Sequence, residues 1–77
     1  MLYSYYSSYN GRNIVAWEGS DIKPIEFRLY DLAGKLVYTI SNFESNETVM
    51  PIGLYSSLYI AELSTKETVS RKIISIR

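Results

Sequence analysis

Apolar and polar residues alternate along much of this chain with a period of two, the spacing of a strand with one buried face. The alternation is cleanest in Ile25-Glu26-Phe27-Arg28-Leu29, where Ile25, Phe27 and Leu29 point one way and Glu26 and Arg28 the other. Each apolar run is short, and turn residues interrupt it. Asn10-Gly11 divides the first region. Both residues tolerate positive φ, so the pair predicts a type I′ hairpin. Its arms are Tyr3–Tyr9 and Arg12–Trp17, with Tyr6 opposite Val15 and Tyr5 opposite Ala16. Glu18-Gly19-Ser20-Asp21 breaks the pattern, and Pro24 cannot donate to a central ladder. Asp31-Leu32-Ala33-Gly34-Lys35 predicts a tight turn with Gly34 in the left-handed position, and Leu36–Ile40 returns as the partner strand. Beyond the polar Ser41–Asn46 lie a short strand Glu47–Met50 ended by Pro51, a strand Leu58–Leu63, a hairpin loop Ser64–Glu67 and a last strand Thr68–Ile76.

About seven short strands with frequent turns and no helical period predict an all-β fold, a small immunoglobulin-like antiparallel β-sandwich. Ile25, Phe27, Leu29, Tyr59, Ala61 and Leu63 are its expected core. The 77 residues make a single domain, of a size that buries only roughly 60% of its unfolded surface.

Composition narrows the chemistry. The chain has eight Tyr but neither His nor Cys. The commonest general base, the commonest metal ligand and any thiolate zinc site are therefore excluded. Asp21, Glu44, Glu47 and Glu62 are candidates for carboxylate pairing or calcium binding. No Asp-x-Asp-x-Asp-Gly loop accompanies them, so a solvated strand face is the simpler reading. No catalytic residue, cofactor or metal is expected. The eight basic and eight acidic residues cancel, which gives nucleic acid no electrostatic support and no reason to expect an anionic membrane. Met1-Leu2-Tyr3-Ser4-Tyr5 lacks the basic start and apolar run of a signal peptide. No stretch approaches the roughly 20 apolar residues of a span, so no membrane insertion is expected.

Three segments in order resemble a known family. They are Leu29-Tyr30-Asp31-Leu32-Ala33-Gly34-Lys35-Leu36-Val37, then Gly53-Leu54-Tyr55-Ser56-Ser57-Leu58-Tyr59-Ile60-Ala61-Glu62-Leu63, then Arg71-Lys72-Ile73-Ile74-Ser75-Ile76-Arg77. Together they resemble the C-terminal sorting domain of the type IX secretion system of Bacteroidetes. Asn10-Gly11-Arg12-Asn13-Ile14-Val15 is loosely similar to that family's earlier turn and strand. Two features depart from it: the Pro-Asn-Pro segment near the start is missing, and Ser57 stands where the family has Gly. The resemblance implies a non-catalytic address, carried as the C-terminal part of a larger exported protein. Its partners would be the outer-membrane translocon and a surface peptidase. Its location would be the periplasm in transit, then the cell surface or the medium.

On that reading the translocon would recognise residues among Asp31, Gly34, Lys35, Tyr59, Lys72, Ile73, Ile74 and Ile76. Each has an ordinary structural reading beside it: Asp31, Gly34 and Lys35 as turn chemistry, the isoleucines as a last strand alternating between core and surface. Trp17 with Tyr3, Tyr5 and Tyr9 is either a stacking platform or packing. The platform reading supports an alternative function, an accessory carbohydrate-binding or adhesion module. A stand-alone structural protein is a third. Apolar edge strands also leave room for a homodimer through them.

Overall fold

The computed structural model describes residues 1–19 and 23–77. Among these lie seven strands and no helix: β1 (Leu2–Ser7), β2 (Arg12–Trp17), β3 (Pro24–Asp31), β4 (Leu36–Ile40), β5 (Glu47–Val49), β6 (Ser57–Thr65) and β7 (Val69–Ile76). They form two antiparallel sheets, β1-β2-β5 and β4-β3-β6-β7. The fold is the expected antiparallel sandwich. Its fourth strand pairs with the third, where a constant-type immunoglobulin domain pairs the fourth with the fifth.

Alternation dictates what each sheet buries. The second sheet turns Phe27 and Leu29 of β3, Tyr59, Ala61 and Leu63 of β6, and Ile74 and Ile76 of β7 inward, against Leu2, Val15 and Trp17 of the first. Phe43, from the connection after β4, closes the core edge-on to Trp17, with ring centroids 5.3 Å apart. Trp17 is therefore a core residue.

Two expectations need correction. Ile25 is 57% exposed. The β3–β6 register shifts between Pro24 and Glu26, so Ile25 is a bulge residue whose side chain leaves the inward row. The first hairpin also closes two residues earlier than expected. Tyr5 faces Ile14 and Tyr6 faces Asn13. Only Gly11 takes positive φ, at 67°, whereas a type I′ turn needs it at both central residues. Asn10 instead accepts the Arg12 N–H with its side chain, and Gly11 donates to the Ser7 carbonyl, which makes a four-residue loop. A shift of two keeps each side chain on its expected face.

Candidate functional site

The β3–β4 turn is built around one carboxylate. Asp31 Oδ1 accepts the N–H groups of Ala33 at 3.0 Å and Lys35 at 2.8 Å. The Gly34 N–H bonds the Asp31 carbonyl at 3.0 Å, and the Lys35 carbonyl accepts the Asp31 N–H at 2.9 Å. Gly34 sits at φ 89° with open space where a Cβ would stand, so its requirement is conformational. Turn chemistry accounts for Asp31 and Gly34. The Lys35 side chain is left exposed.

This turn faces the segment leading into β6. Between them lies a cleft of about 460 Å³ bounded by Asp31, Leu32, Lys35, Leu54, Tyr55 and Tyr59. Tyr59 is buried, and its hydroxyl donates to the Tyr55 carbonyl at 2.8 Å. The cleft brings together parts of the first two resemblance segments. A hollow of about 530 Å³ at the opposite end, under Ser41–Asn46, holds none of the recognition candidates and only Glu44 of the candidate carboxylates.

The last strand alternates as expected: Ile74 and Ile76 are core, Ile73 is 60% exposed, and Ser75 is exposed. Lys72 shares the inward row of β7 but remains exposed at the sheet edge. Ile73 continues an outer row through Ile60, Tyr30 and Leu36, one residue from each strand of the sheet. Of the eight recognition candidates, Tyr59, Ile74 and Ile76 are thus fixed in the core. Gly34, Lys35, Lys72 and Ile73 are displayed, and Asp31 is half-buried.

Sequence reasoning missed a clamp at the end of β7. The Asn13 side chain donates to the Arg77 carbonyl at 3.1 Å and accepts the Arg77 N–H at 3.0 Å. The Arg77 guanidinium lies 4.8 Å from the centre of the Tyr6 ring. The first sheet therefore holds the end of the last strand. No sequence signal marks a contact between residues 64 positions apart.

The three described carboxylates among the four candidates do not converge. Glu62 is buried on the outer face of the second sheet and accepts from Arg71 Nε at 2.7 Å. Arg28 lies 3.9 Å from Glu62 and 2.6 Å from Glu26. Glu47 lies on β5 in the other sheet, Glu44 lies in the connection before it, and Asp21 is outside the described residues. Among the described residues no three carboxylates gather as a metal set.

Tyr3 and Tyr5 stand on the outer face of the first sheet, their rings 6.4 Å apart and within 24° of parallel. Ile14 and Ala16 are buried on that same face. Partial burial, and then the Glu47 carboxylate, push the Tyr5 phenol above its ordinary value. No family model matches the chain, and no curated protein matches it.

Proposed function

We propose that this domain is a non-catalytic C-terminal sorting signal of the type IX kind, read by an outer-membrane translocon while folded. One observation carries the reading. The three segments that resemble the family are brought together in one place. They supply the end of β3, the start of β4 and most of β6 and β7 in the second sheet, and both walls of its cleft. Of the recognition candidates, Gly34, Lys35, Lys72 and Ile73 are exposed, so a partner can touch them without unfolding the domain. No catalytic role is assigned to any residue.

The test fuses the domain, behind a signal peptide, to a reporter in a bacterium that has a type IX system. The intact fusion should reach the surface or the medium. Deleting Lys72–Arg77 would remove Ile74 and Ile76 from the core, so the informative variants are Lys35→Glu and Ile73→Ser, which leave the core intact and should hold the reporter in the periplasm. If the intact fusion stays periplasmic while a family domain is exported from the same strain, the reading fails.

A second reading, an accessory glycan-binding module, draws on the near-parallel Tyr3 and Tyr5 rings. Trp17 contributes nothing to it, because Trp17 is buried.

A further inference from the structure

The charges of this chain cancel in number, but the fold separates them in space. Antiparallel pairing puts four features at one end of the sandwich: the β1–β2 loop, the β3–β4 turn, the connection from Met50 to Ser56, and Arg77. That end carries Arg12, Lys35 and Arg77, none of which forms an ion pair among the described residues. Its one described side-chain carboxylate is Asp31, already occupied by two backbone N–H groups. Glu18, Glu26, Glu44, Glu47 and Glu67 lie toward the other end, where Lys23, Lys66 and the Met1 amino group offset only part of their charge.

The three most exposed large apolar side chains among the described residues share the basic end: Tyr9 at 98%, Tyr55 at 87% and Ile52 at 83%. Leu32, 56% exposed, joins them from the β3–β4 turn. They come from three separate connections and stand out at their tips. Such side chains enter a headgroup layer one by one, whereas a protein partner would need a matching hollow for each. Tyr is at home at that depth, with an apolar ring and a polar hydroxyl. The surrounding cations complement anionic lipid.

We propose that this end of the sandwich docks peripherally on an anionic lipid surface. Tyr9, Leu32, Ile52 and Tyr55 lie at headgroup depth, and the exposed Lys35 and Arg77 lie against the lipid charges, while the half-buried Arg12, whose guanidinium donates to the Met50 carbonyl at 2.7 Å, adds its charge from behind them. No helix among the described residues is long and apolar enough to cross a membrane, and the docking needs none. The inference rests on the distribution of charge and exposure and is independent of the sorting reading.

Flotation of the 77-residue chain with vesicles tests it. The chain should float with phosphatidylcholine vesicles that contain phosphatidylglycerol, and far less with phosphatidylcholine alone. Added salt should weaken the association. Each lost cation should lower partitioning about fivefold, so the reversals Lys35→Glu and Arg77→Glu should each cost on the order of tenfold or more. Ile52→Ser and Tyr55→Ser should also weaken it. Lys66→Glu makes the same change in net charge at the opposite end and should have no effect. All these side chains are exposed, and an unchanged melting curve shows that each variant folds. Equal binding to both vesicle types, no binding to either, or equal losses from Lys66→Glu and Lys35→Glu would overturn the proposal. So would binding to immobilised polyglutamate that is tighter than to anionic vesicles and unchanged by Ile52→Ser and Tyr55→Ser, which would identify an acidic polypeptide as the ligand.

Discussion

Asp31 serves the turn before it serves anything else. A carboxylate that accepts two backbone N–H groups fixes the loop, and Gly34 supplies a backbone conformation that an L side chain enters only at a cost of about 1–2 kcal/mol. The backbone of Lys35 is therefore held rigidly while its side chain stays exposed. Tyr5 has the opposite character, since its phenol is tuned by neighbours on other strands. Partial burial is the larger influence and the Glu47 carboxylate the next, and both favour the neutral phenol. Glu47→Gln should let Tyr5 ionise at lower pH while leaving the share due to burial. The native state holds this proton more tightly than the unfolded chain, so its stabilising effect is complete below pH 10.0, the ordinary value, and fades as pH rises through the native pKa. Alkaline ultraviolet difference titration of the two proteins checks this. Identical curves would mean that Glu47 does not act on Tyr5.

At the scale of the element, the outer face of the second sheet is laid out in rows. Leu36, Tyr30, Ile60 and Ile73 form an apolar row, and beside it run Arg28, Glu62 and Arg71. Glu62 is the one buried charge among the described residues, and it survives there because Arg71 and Arg28 flank it. Arg71→Ala should destabilise the domain by about 1–3 kcal/mol, because it strips the closest partner from a buried carboxylate. Replacing Glu62 and Arg71 together by apolar residues should cost much less, since no unpaired charge is left behind. Urea denaturation of the single and double variants reads the difference, and equal losses would refute the coupling. The strands themselves were readable from alternation and turn residues, with β2 and β4 at their expected bounds. β6 runs two residues past its expected end, because Thr65 carries its own turn by accepting the Glu67 and Thr68 N–H groups on its hydroxyl. Ile25 departs from the expected inward row because a bulge changes the phase of alternation without changing composition.

The whole molecule depends on how its two sheets meet. The Trp17–Phe43 contact fastens one edge, and the Asn13–Arg77 clamp fastens the end of the last strand. Asn13→Ala should remove two hydrogen bonds, about 1–2 kcal/mol in all. The local effect is the sharper test: the Arg77 amide should exchange faster with solvent while core amides such as those of Phe27 and Ala61 keep their protection. Uniform loss of protection would show that Asn13 supports the whole core. Local pattern determined much of this protein by itself. Period-two alternation located the strands and, Ile25 apart, their faces, turn residues placed the bounds of β2 and β4 and the others to within two residues, and the absence of His and Cys limited the chemistry. Tertiary structure decided whatever depends on residues far apart in the chain. It buried Trp17, pinned Arg77 with Asn13, joined the two halves of a cleft, and divided a neutral composition into a basic, apolar end and an acidic one. Composition counts charges without placing them, and only strand pairing decides which loops share an end.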